Sequence, residues 1–115
     1  MQVKVTNNYS DSNMTSLQGY VETHYDTLVE LFGEPLKGGD KTTAEWILKF
    51  EDGTVATIYD WKEYSTPMGW YDWHVGGNKR TVVALVQEVL DGKIEVVDAF
   101  WTMKNDDKEI AYYGA

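Results

Sequence analysis

His74 stands two residues after Asp72 and two before a Gly76-Gly77 pair, and Asn78, Lys79 and Arg80 follow directly. An imidazole near a carboxylate is the raw material of a general base. Paired glycines ahead of a basic helix start are the raw material of an anion cradle. Neither chemistry is completed by its surroundings. A phosphate loop needs GxxxxGK followed by Ser or Thr, and a dinucleotide fingerprint needs GxGxxG; both are absent. The glycine pair therefore reads first as the turn between a strand and a helix, with Asn78 as the helix cap. An anion site at Gly76, Gly77, Asn78, Lys79 and Arg80 is the second reading. Catalysis at His74 would need a nucleophile or a metal-activated water, and no spacing in the chain supplies one. His24 is the only other histidine, there is no cysteine, and no HExxH or similar dense ligand spacing occurs. Asp60, Glu63 and Asp72 read as solvated acids flanking a sheet. The expectation is a chain without catalytic residues, metal site or cofactor.

Recognition chemistry is better represented. Trp61, Tyr64, Trp70, Tyr71 and Trp73 crowd thirteen positions, residues 61–73. Aromatics of this kind suit both sheet cores and interface anchors, so the set is expected to divide between the two. The charge is one-sided: 19 Asp and Glu against 10 Lys and Arg give a formal net charge of -9. Such a surface repels free nucleic acid and anionic membranes and favours basic partners. The same charge also serves solubility.

The elements that position these residues follow from periodicity. Val3 and Val5 alternate with polar neighbours as a short strand over residues 1–6. Val21, Tyr25, Leu28 and Phe32 recur at three- and four-residue steps and predict a helix over residues 21–32. On that helix Glu22, Asp26 and Glu30 form an acidic stripe. Residues 42–50 and 54–61 alternate as two strands around Glu51-Asp52-Gly53, a hairpin signal. Trp46, Leu48 and Phe50 are expected on one face, Glu45, Ile47 and Lys49 on the other. A loop over residues 62–69 leads to a strand over residues 70–75, and Val82, Val83, Leu85, Val86, Val89 and Leu90 mark a second helix over residues 79–90. A last strand is expected near residues 94–101, with residues 110–113 pairing or packing. Together these predict a small α+β fold, a mainly antiparallel sheet packed against two helices, in a single compact domain of 115 residues. No apolar run has the length to span a bilayer, and no signal peptide is apparent, so a soluble intracellular protein is expected.

The segments SLQGYVETHYDTLVELFGEP, AEWILKFEDGTVATIYDWK and DWHVGG resemble a widespread group of small bacteriophage accessory proteins, over most of residues 15–90. The resemblance implies a noncatalytic protein in the host cytoplasm that binds a host protein. Some such proteins inhibit restriction, CRISPR or other defences, and acidic examples mimic the charge of DNA. It carries no catalytic residue set with it. The expected function is inhibition or modulation of a host defence or nucleic-acid-handling protein. Its contact groups would be Glu22, Asp26 and Glu30 with Trp61, Tyr64, Trp70 and Tyr71, and Asp106, Asp107 and Glu109 form a second acidic patch. The alternative is a module that sequesters a small anionic or nucleotide-like signal between residues 17–20 and 76–80. Neither direct nucleic-acid nor membrane contact is expected, and self-association through a sheet edge is left open.

Overall fold

A computed structural model describes residues 1–99 of the chain. Seven strands and two helices follow in the order β1 (Gln2–Thr6), β2 (Ser16–His24), α1 (Tyr25–Phe32), β3 (Leu36–Lys37), β4 (Ala44–Phe50), β5 (Val55–Tyr59), β6 (Trp70–Gly77), α2 (Thr81–Leu90) and β7 (Glu95–Val96), with a 3-10 turn at Tyr9–Ser12. The strands form one sheet in the order β2-β6-β5-β4-β1-β7, with β3 pairing β4. Every pairing is antiparallel except that of β1 with β7. The fold is α+β, a mixed but mainly antiparallel sheet packed against two helices.

The β4–β5 hairpin forms where the alternation and the Asp-Gly turn predict it. Leu48 faces Ala56 and Trp46 faces Ile58 across the pair. Gly53 takes a φ of 92°, a conformation that resists side chains, and Asp52 accepts a hydrogen bond from the Thr54 amide at 2.9 Å. Trp46, Leu48, Phe50, Ala56 and Ile58 all lie in the core with Trp73, Val75 and Val21. Leu28 and Phe32 of α1 and Val82, Val86 and Val89 of α2 close this face. Trp46 and Trp73 meet edge to face with ring centres 5.5 Å apart, a geometry favoured by the ring quadrupoles. The Trp46 indole also donates to the Gly33 carbonyl at 2.8 Å.

Four expectations are corrected. The helix predicted over residues 21–32 starts only at Tyr25, and Ser16–His24 is a nine-residue strand. Val21 and Thr23 are buried while Tyr20 and Glu22 are exposed, a two-residue period that overrides the helical stripe once β2 pairs with β6. Glu22 therefore stands on a strand opposite Asp72, and only Asp26 and Glu30 share the helix. The glycine pair is not a turn either. Gly76 and Gly77 lie within β6, between Leu17 and Ser16 of β2 and Thr57 and Ala56 of β5. A Cβ on Gly76 would fall 2.5 Å from Thr57 Oγ1, and one on Gly77 would fall 2.7 Å from Val82 Cγ2. Close packing, not backbone freedom, requires glycine at both positions. Helix α2 then begins at Thr81 behind Arg80, with no side-chain cap, so Asn78 does not play the predicted role. Of the strand expected near residues 94–101, Glu95–Val96 is present and the rest of the span to Ala99 is not strand. Residues 100–101, the segment 110–113 and the acids Asp106, Asp107 and Glu109 lie outside the described residues.

Candidate binding site on the open sheet face

Alternation along the strands gives the sheet a second face, turned away from both helices. At the β4 end this face is partly covered: Ile47 is fully buried and Thr57 nearly so, and the 3-10 turn at Tyr9–Ser12 packs on β4 and β5. At the β2–β6–β5 end the aromatic side chains meet solvent. Tyr20 of β2 sits edge-on to His74 of β6 with centres 4.8 Å apart. Tyr59 of β5 lies 5.3 Å from the same imidazole and 6.4 Å from Trp61. Leu17, Tyr20, Tyr59, Trp61 and His74 line a hollow of about 360 Å³. A second hollow, about 190 Å³, shares Tyr59 and Trp61 and adds Glu45, Thr57 and Gly76. The two make one trough across four strands, β2, β6, β5 and β4. Leu17, Tyr20 and Trp61 are each 42–51% exposed, so an arriving group has apolar surface to cover.

Its rim is held by an unexpected group. Asp60 is fully buried, not the solvated acid its sequence context suggests. One carboxylate oxygen accepts from the Thr43 amide at 2.7 Å and from the Ala44 amide at 3.1 Å. The other accepts from the Thr43 hydroxyl at 2.6 Å, and that hydroxyl meets Thr66 Oγ1 at 2.6 Å. This ties the end of β5, the start of β4 and the loop after Trp61 together. The Trp61 amide in turn donates to the Tyr71 hydroxyl at 3.3 Å, which ties the backbone that carries the indole to β6.

Two titratable groups face the trough at an electrostatic cost. Burial raises the Glu45 carboxyl above its ordinary range. Burial lowers the His74 imidazole, against a smaller opposing pull from Asp60 and Glu63, and its Nδ1 is buried without a hydrogen-bond partner. Linkage assigns the signs. For Glu45 the contribution to stability is fully present below the unfolded value and is lost as pH rises through the raised folded value. For His74 it is present above the unfolded value and is lost as pH falls through the depressed folded value. Glu45→Gln should therefore stabilise the protein at neutral pH, and the gain should vanish near pH ~4, where the unfolded glutamate itself binds a proton. Urea midpoints of both proteins across that range check this. A difference independent of pH would show that Glu45 carries no desolvation cost.

The remaining sequence-predicted residues are divided by the fold. Trp70 is exposed on the open face and meets His24 edge-on at 4.7 Å. Tyr64 is fully exposed on the 60–69 loop. Tyr71 is half-buried against Trp73 at 5.0 Å, and Trp73 belongs to the core. Asp26 and Glu30 lie on α1, across the sheet from the trough. Asn78, Lys79 and Arg80 are exposed in the connector to α2, but Gly76 and Gly77 contribute no turn to an anion cradle there. Among the described residues no group of three His, Cys, Asp or Glu side chains is placed to hold a metal ion. No described helix is long and apolar enough to cross a membrane.

No protein-family model, curated protein or solved structure matches this chain. The site must be read from its own chemistry. Sequence reasoning had singled out Trp61 and residues 17–20 but missed Tyr59 and Glu45. Their signal was present: both fall on the helix-averted side of the β4–β5 alternation, and Glu45 pairs directly with Tyr59.

Proposed function

We propose that this protein is a noncatalytic binding module that receives a basic segment of a partner protein on the uncovered half of its sheet. The observation that carries the reading is the convergence of Leu17, Tyr20, Tyr59 and Trp61 in one solvent-facing trough. Aromatics that are partly exposed and held by neighbours are efficient anchors, because little rotamer freedom is lost on binding. Charge selects the partner. Glu22 and Asp72 are exposed opposite each other across β2 and β6, an arrangement that like charges disfavour and that a basic group relieves. The overall charge of -9 steers cationic surfaces towards the protein. The resemblance to phage accessory proteins makes a host protein with a basic nucleic-acid cleft the first class to try, with masking of that cleft as the mechanism.

The test compares capture of such a partner by two double variants. Tyr20→Ser with Trp61→Ser should weaken capture by about tenfold or more. Asp26→Lys with Glu30→Lys, across the sheet, should lower the association rate and leave the bound lifetime nearly unchanged. Loss of capture in the helix variant alone would place the contact on α1 and overturn the reading.

A further inference from the structure

We propose that the trough is an arginine pocket: the guanidinium of a partner arginine stacks on the exposed indole of Trp61 and pairs with the carboxylate of Glu45. The inference deepens the docking reading and rests on it. The two hollows share Tyr59 and Trp61, whose rings meet edge to face with centres 6.4 Å apart, so a planar group lies against one ring face rather than between the two. Glu45 is the acidic residue of that lining, and among the described residues no Lys or Arg lines either hollow. A cation there has aromatic rings and a carboxylate in the same lining, the two environments that attract it electrostatically.

Arginine fits these walls better than lysine. Its guanidinium is flat, weakly hydrated and able to give two parallel N–H bonds to one carboxylate, whereas an ammonium is a strongly hydrated point charge. Its aliphatic stem would cover Leu17 and Tyr20, which are half exposed. Glu45 is held half-buried, and burial alone raises its carboxyl. An incoming guanidinium supplies a positive charge on the trough side of Glu45, while Lys4 and Lys49 share a different hollow with it. His74, whose imidazole burial keeps towards the neutral form, adds no opposing charge at the wall.

The experiment is isothermal calorimetry with three blocked tripeptides, glycine–arginine–glycine and its citrulline and lysine counterparts. Citrulline keeps the shape of arginine and removes the charge. The arginine peptide should bind about tenfold tighter than citrulline and about threefold tighter than lysine. Glu45→Gln, nearly isosteric, should bring the arginine-to-citrulline ratio close to one, and Trp61→Leu should weaken the arginine peptide about fivefold. Equal binding of arginine and citrulline, or a ratio unchanged in Glu45→Gln, overturns the pocket. So does absence of binding by all three. In those cases the docking reading is judged separately, by whether the Tyr20→Ser, Trp61→Ser protein still loses its partner.

Discussion

Asp60→Ala is expected to destabilise the protein by roughly 3 kcal/mol or more, because it strands several donors at once. The Thr43 and Ala44 amides and the Thr43 hydroxyl all point at this carboxylate, at 2.6–3.1 Å. The site is closed to solvent, so water cannot take over without opening the start of β4. Asp60→Asn should be far milder, about 1 kcal/mol. Its amide oxygen can still accept from both backbone groups. Its NH2 can donate to Thr43 Oγ1, which then donates to Thr66 in place of the present arrangement. Chemical denaturation of the two variants measures this contrast. Similar losses for Asn and Ala would mean that the negative charge, not the acceptor geometry, holds the corner. The alanine variant should also loosen the loop that carries Trp61, so binding is expected to weaken even at temperatures where it remains folded.

The second large effect is expected at the paired tryptophans. Trp46→Ala removes a side chain that is 1% exposed, with cavity and transfer terms of about 3–5 kcal/mol. That is a large share of the 5–15 kcal/mol typical of a whole domain. The two indoles differ in a way that sharpens the test. Trp46 donates to Gly33 at 2.8 Å, whereas the Trp73 indole nitrogen is buried with no acceptor. Trp46→Phe therefore loses a hydrogen bond and orphans a carbonyl at the C-terminal end of α1. Trp73→Phe loses only ring volume and is relieved of an unpaired donor. The Trp46 variant should be less stable than the Trp73 variant by about 1 kcal/mol, read from denaturation midpoints at equal m-values. The reverse order would contradict the bonding assigned to the two rings.

What was legible in the sequence depended on how local the cause was. The β4–β5 hairpin was readable because its period, turn and pairing lie within sixteen residues, and the faces of Trp46, Leu48 and Phe50 followed at once. Strand β2 was not readable in the same way. Val21, Tyr25, Leu28 and Phe32 satisfy a helical step, and the pairing that selects the strand comes from β6, some fifty residues away. That single shift removed Glu22 from the acidic stripe and brought Tyr20 to the open face. Gly76 and Gly77 announced a special backbone position, but whether the cause was a turn or a close approach depended on Thr57 and Val82, which sequence does not bring near. Asp60 is the same lesson in electrostatics: its burial is tolerated because donors from residues 43 and 44 converge on it. The trough draws on β2, β4, β5 and β6, so only Trp61, among the aromatics flagged for contact, announced it directly.

The proposed binding location is the uncovered half of the sheet, not the acidic face of α1. Amide and indole NMR of uniformly nitrogen-labelled protein, titrated with the arginine peptide, tests it most directly. The expected footprint covers the indole of Trp61 and the amides of residues 17–20, 45, 57–61 and 74–76, with residues 26–32 unmoved. Shifts concentrated on α1, with the Trp61 indole unchanged, would contradict the account.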